Sequence, residues 1–167
     1  MLASTILPSP IGPLTLVASP DALVAIHFPD RGATAGAIAT APRGHAILAQ
    51  AARELDAYFA GAQQRFTVPL APGGTPFQQQ VWTALVAIPF AETRGYGELA
   101  TTIGRPTASR AVGAANGANP IPIIVPCHRV IGASGALTGF GGGLPTKRWL
   151  LAHEATHGAR QGTLRLS

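Results

Sequence analysis

The sequence predicts an α+β protein: a small N-terminal α/β lobe with a short antiparallel sheet, followed by a mainly helical C-terminal lobe. Three observations predict this. Apolar residues alternate with turn signals over the first thirty positions, fall at helical spacing from about 45, and after a proline-glycine break give mostly short helical patterns. In chain order, Leu14-Thr15-Leu16-Val17 and the apolar run 23–28 flank Ser19-Pro20-Asp21, which reads as two strands joined by a tight turn, with a third strand expected near 4–7. Over 45–60 the residues Leu48, Ala52, Leu55, Tyr58 and Phe59 share a helical face, and Gly61 can end that helix. Positions 67–70 read as one more short strand. No catalytic grouping falls in this lobe, so it is expected to be a scaffold.

Leu70-Ala71-Pro72-Gly73-Gly74 has the composition of a linker. Thr75-Pro76-Phe77-Gln78 then combines a capping residue, proline at the first helical position and glutamine at the third, a strong helix start. Phe77, Val81, Trp82 and Leu85 form its apolar face, and Pro89 stops it. Two short helices are expected over 96–103 and 107–116, separated by Gly104-Arg105-Pro106, which is helix-turn-helix spacing. The apolar run 121–125 reads as core strand. A last helix is expected from about 145 to 154, and the residues beyond it look like a polar, basic tail. The expected division is 1–72 for the scaffold lobe, 73–156 for the helix-turn-helix lobe and 157–167 for the tail.

Composition narrows the function. The chain has 167 residues, 47% of them hydrophobic, enough for a real core. No apolar stretch reaches the roughly 18 residues a membrane span needs, and no signal peptide is evident, so a cytoplasmic location without membrane association is expected. One cysteine cannot form an internal disulfide. Arg31, Arg43, Arg53 and Arg65 balance Asp21, Asp30, Glu54 and Asp56 before residue 91; beyond it eight cationic residues face Glu92, Glu98 and Glu154 alone. The net charge of +5 therefore sits entirely in the second half, which suits a polyanion partner as well as an arginine-rich protein without one.

That half also holds the only thiol, in Pro126-Cys127-His128-Arg129-Val130. A lone cysteine is more often a small buried hydrophobe than a nucleophile, but a base at the next position makes it a candidate. The helix 107–116 is small at nearly every position except Arg110, so it can approach a sugar-phosphate surface closely and has little with which to read bases; its Ala and Gly residues equally suit tight packing within the lobe. Taken together, the stretch from Asn119-Pro120-Ile121-Pro122 through Cys127-His128-Arg129-Val130-Ile131-Gly132, and Trp149-Leu150-Leu151-Ala152-His153-Glu154, resemble the O6-alkylguanine-DNA alkyltransferases. The resemblance runs from about residue 74 to 154, with a fainter echo in Ser9-Pro10-Ile11-Gly12-Pro13-Leu14.

The resemblance implies a DNA repair protein, a methylated-DNA–protein-cysteine S-methyltransferase that moves the alkyl group of O6-alkylguanine irreversibly to Cys127 and acts once. Its implied partner is double-stranded DNA carrying that lesion, with O4-alkylthymine left open, met through the minor groove by a monomeric protein. By the same resemblance Arg110 enters the base stack in place of the extruded nucleotide, on a helix where Thr107, Ser109, Ala111 and Gly113 also face DNA. Extrusion costs a few kcal/mol, which such a plug partly offsets. His128 is the implied base, reaching the thiol through a water, and Glu154 its orienter; a thiolate is needed because the thiol is a poor nucleophile.

Tyr96 is the implied donor to the departing base, with Lys147, the one lysine among eleven arginines, near it. Tyr96 as a plain core aromatic stays open. Asn119 ties the turn ahead of the active-site segment, and Pro126, Arg129, Val130, Phe140, Gly141 and Gly142 belong to the site's frame and guanine pocket, whose wall is formed by 139–143. The carbonyls of Cys127 and Val130 are implied acceptors for the guanine amine. Phe140 stands where many relatives have tyrosine, so the O6 oxygen must rely on main-chain N–H groups there. No cofactor is implied, and no metal: the chain lacks the cysteines that hold zinc in some relatives.

Overall fold

Residues 14–18 alternate and then run apolar, and the strand they form lies at the centre of the first sheet. The computed structural model describes residues 1–132, 135, 137 and 140–166, with side chains through 158. It divides into two units, Met1–Gly73 and Gly74–Ser167.

In the first unit β1 (Ala3–Leu7), β2 (Leu14–Ala18) and β3 (Leu23–His27) are antiparallel neighbours, and β4 (Ile38–Ala39) adds a parallel edge to β1. The sheet is thus mixed, not purely antiparallel as the sequence suggested. The β2–β3 turn is held by Ser19, whose Oγ accepts from the N–H groups of Asp21 and Ala22. Helix α1 (Ala46–Phe59) packs across β1, β2 and β3 and buries Leu48, Ala51, Leu55 and Tyr58 completely. Each of the larger of these contributes about 1.5–3 kcal/mol of burial. His45 caps α1, its Nδ1 accepting from Leu48 N–H at 3.4 Å. The expected strand at 67–70 is reduced to one bridge, Leu23 to Leu70. Pro69 has no N–H to extend it and serves only as an acceptor for Leu23.

The second unit opens with α2 (Pro76–Val86), sealed by a capping box in which Gln78 N–H donates to Thr75 Oγ1 and Thr75 N–H to Gln78 Oε1. After the two-residue strand β5 (Arg94–Gly95) come α3 (Tyr96–Thr102) and α4 (Ser109–Gly117), the helix pair expected from the sequence. Gly104 turns between them at φ +77°. Trp82 Nε1 donates to Ala115 O at 2.8 Å, which fastens α4 to α2.

The run 121–125 is not a strand. Pro120, Pro122 and Pro126 remove main-chain donors, Ile123 takes φ +74°, and the segment coils into tight turns with Val125 N–H on Ile121 O. Its side chains are nonetheless core, Ile121 and Ile123 being fully buried. It delivers the chain into a 3-10 turn, Cys127–Arg129, and β6 (Val130–Ile131), which pairs in parallel with β5. Helix α5 spans Leu144–Leu166, well past the expected end near 154. Among the described residues no helix is long and apolar enough to cross a membrane.

Candidate active site

A strand through Cys127 and His128 would send their side chains to opposite sides. In the 3-10 turn adjacent side chains stand about 120° apart instead of on opposite sides, and Nδ1 of His128 still makes no hydrogen bond to the thiol. Pro126 precedes the turn, Arg129 N–H donates to Pro126 O, and Val130 N–H donates to Cys127 O. Cys127 is 5% exposed and His128 not at all.

Glu154, on α5, collects four donors. His128 Nε2 lies 2.6 Å from Oε2, Arg129 Nη2 3.0 Å from Oε2, Arg129 Nε 2.8 Å from Oε1, and Ala91 N–H 3.1 Å from Oε1. Burial alone would raise its pKa, but hydrogen bonds from His128 and Arg129 and the Arg129 charge hold it well below the usual carboxylate range. An ionised carboxylate only accepts, so His128 Nε2 must carry a proton and donate. Burial lowers the imidazole pKa against the pull of Glu154, with Arg129 and Lys147 pushing the same way, so the ring is neutral. Nδ1 is therefore a bare lone pair, buried and without a partner among the described residues.

The thiol is held neutral too. Burial pushes Cys127 up to about 11, opposed by the Asn119 side chain, the Lys147 charge and the N–H groups of Cys127 and His128. Asn119 Nδ2 also donates to Val125 O at 2.7 Å, and its Oδ1 accepts from Ile121 N–H, which fixes the turn leading to the thiol. Lys147 is fully buried, with Nζ 2.6 Å from Val130 O. Burial lowers its pKa while the nearby Cys127 raises it.

Arg129 lies in the frame of the site: its guanidinium spans Glu154 and Ile88 O and lies 5.6 Å over the Phe90 ring. A buried carboxylate and an aromatic face outcompete any outward position for a planar cation. His153, one position before Glu154, is buried and stacked on Trp149.

On α4 the exposed residues Arg110, Ala111, Ala114 and Gly117 form one stripe, and Val112, Ala115 and Asn116 the buried face. Thr107 is exposed ahead of the helix, and Ser109 and Gly113 are half-buried. A Cβ on Gly113 would lie 3.7 Å from the Tyr96 ring, so Tyr96 rests against α4. Tyr96, Gly97, Glu98, Ser109 and Gly132 help line a cleft of about 550 Å³. Phe140 and Gly142 are half-buried and Gly141 is exposed, in a turn closed by Gly143 N–H on Phe140 O. Gly139 lies outside the described residues.

Asn116 is a site residue that the sequence reading missed. It is 3% exposed, and its Nδ2 lies 3.4 Å from Cys127 O. The signal was its position three and four residues after Gly113 and Val112, on the buried face of a helix whose outer face is exposed.

Residues 76–156 match the family profile described as 6-O-methylguanine DNA methyltransferase, DNA binding domain, and residues 2–72 the one described as its ribonuclease-like domain. A curated methylated-DNA–protein-cysteine methyltransferase of Mycobacterium tuberculosis is 48% identical, covering 93% of this chain and 94% of its own. The chain belongs to the methylated-DNA–protein-cysteine methyltransferase family. Another family member, from Methanosarcina acetivorans, is 49% identical over 89% of this chain and 95% of its own. Within the family, the crystal structure of the M. tuberculosis O6-methylguanine methyltransferase superposes with a TM-score of 0.87 at 48% identity, covering 94% of both chains. A structure of that organism's OGT in complex with DNA matches with the same TM-score at 49% identity, over 93% of this chain and 94% of that one.

Proposed function

We propose that this chain repairs DNA by taking the alkyl group from the O6 oxygen of guanine onto its own Cys127, once per molecule. The observation that carries the reading is the buried Nδ1 of His128, unpartnered among the described residues, in the same turn as the only thiol, its tautomer set by the carboxylate of Glu154. His128 takes the thiol proton through a water, the sulfur attacks the alkyl carbon, the carbon–oxygen bond breaks, and its electron pair leaves on the guanine. The proton removed from sulfur ends on the restored base, so atoms and charge balance. Tyr96 and Lys147 meet the charge that develops on the departing base. The product is a thioether, a poor leaving group, which makes the step irreversible.

Base extrusion is assigned to α4. Its exposed stripe of small residues allows close approach through the minor groove, and Arg110 supplies the one side chain long and cationic enough to fill the vacated stack. Phe140 and the glycines after it form one wall of the base site. The guanine amine bonds the carbonyl of Val130, which it shares with Lys147 Nζ, because both lone pairs of the Cys127 carbonyl are taken by Asn116 Nδ2 and Val130 N–H. A free, chemically used thiol needs a reducing compartment, which supports a cytoplasmic location.

The test is intact-protein mass after incubation with a duplex containing O6-methylguanine. The wild type should gain one methyl per methyl lost from DNA, and Cys127→Ser none. Tight binding with no mass gain would turn the reading toward a non-catalytic damage sensor, and repeated turnover toward a hydrolase.

A further inference from the structure

The main chain on both sides of Pro126 is gripped by asparagines from one helix end. Asn119, just past α4, holds Val125 O, while Asn116, in the last turn of α4, donates to Cys127 O, which also accepts from Val130 N–H. The orientation of the Asn116 amide is fixed by this contact, because reversing it would set Oδ1 against the Cys127 carbonyl. Oδ1 is then left buried with no partner among the described residues. A buried acceptor in that state is a net cost, and an apolar side chain of the same shape would not incur it. Local stability thus favours leucine at this position. What the amide supplies is a connection between the helix that carries Arg110 and the main chain of the nucleophile.

We propose that Asn116 is a positioning residue that keeps Cys127 in register with α4, so that seating α4 on DNA sets the thiol at the displaced base. This rests on the alkyl-transfer reading above. Trp82 makes the register rigid, since its indole fastens the adjacent Ala115 carbonyl to α2. A base that diffuses in without DNA is not placed by the seating of α4, so its reaction depends far less on the register.

The experiment compares Asn116→Leu with wild type in four readouts: thermal midpoint, affinity for an O6-methylguanine duplex, single-turnover methyl transfer from that duplex at saturation, and transfer from free O6-methylguanine base. The midpoint should be unchanged or higher and duplex affinity within twofold. Duplex transfer should fall at least fivefold, and free-base transfer less than twofold. Unchanged duplex transfer would overturn the proposal, as would an equal loss on both substrates, which marks general damage to the site. Asn116→Ala removes the same donor with a strong helix former and must give the same duplex-to-free-base ratio should the leucine variant fail to fold. A wild type that transfers nothing to Cys127 would instead defeat the alkyl-transfer reading, leaving the outcome for the variants a separate matter.

Discussion

Glu54 in the first unit and Glu154 in the second are both buried carboxylates with four donors, yet one is a brace and the other a working part. Glu54 is 5% exposed and bonds Thr67 N–H, Thr67 Oγ1, Val68 N–H and Gln50 Nε2, all neutral. It pins the segment at 67–68 to α1 and has no titratable partner among the described residues. Glu154 is 1% exposed and bonds a guanidinium, an imidazole and one main-chain N–H. The difference lies in what stands behind the donors: behind Glu54 there is only chain, and behind Glu154 an imidazole whose far nitrogen is unpaired. Burial and hydrogen-bond count alone do not distinguish a site from a brace; the state imposed on the next group does.

Glu154→Gln should have the largest effect. It leaves the Arg129 charge buried and uncompensated, a loss of about 3–5 kcal/mol in the second unit, and it frees the His128 tautomer, so transfer should slow by about 100-fold. Glu54→Gln should cost only about 1–3 kcal/mol and leave single-turnover transfer within twofold. Urea melts and transfer rates on both variants check the pair. A Glu54 variant with slowed transfer would erase the distinction.

Acid should separate the two units next. His128 is held below its ordinary value of 6.5, so as pH falls through that value the unfolded chain takes up a proton that the folded site refuses, and stability falls. Burial would raise the pKa of Glu54, but bonds from Thr67, Gln50 and Val68 hold it below 4.5, so its contribution is intact above that pH and is lost only beneath it. The second unit should therefore weaken first. Both tryptophans, Trp82 and Trp149, lie in it. Their fluorescence should respond at a higher pH than amide exchange in β1, β2 and β3, and coincident transitions would contradict this order.

The smallest expected effect concerns the turn that supplies the main-chain donor to Glu154. Ala91 sits at φ +67°, where a Cβ is strained, and its Cβ faces the place where one on Gly158 would collide. Ala91→Gly should relieve the strain and keep the N–H, a net gain of about 0.5–1 kcal/mol after the added freedom of the unfolded chain. A thermal melt that shows a loss instead would mean that the alanine methyl is packed against α5 to greater effect than it is strained.

Much of this was legible. Alternation gave β1, β2 and β3, and the capping signature gave the start of α2 to the residue. The misses share a cause, in that pairing between distant segments decided them. Ile38–Ala39 is too short to carry a pattern, and only β1 makes it a strand. The apolar run 121–125 is rich in β-branched residues and reads as a strand, but Pro122 within it and Pro120 and Pro126 beside it leave too few donors for a ladder. Cys127, His128 and Glu154 stood out through motifs; helical spacing puts Asn116 on a buried face, but the carbonyl it meets, like the inward turn of Arg129, depends on which segments fold back toward it.

The capping box at Thr75 has a consequence for how such proteins can be assembled. The second unit begins with its own stop and start signals: Gly74 lies so close to Trp82 that a Cβ there would meet the ring at 2.5 Å, and the next residue seals the first helix from within. Nothing upstream is needed to satisfy that helix end. A segment punctuated this way can be shuffled between gene contexts, or released by a protease at residues 71–73, with its first turn already closed.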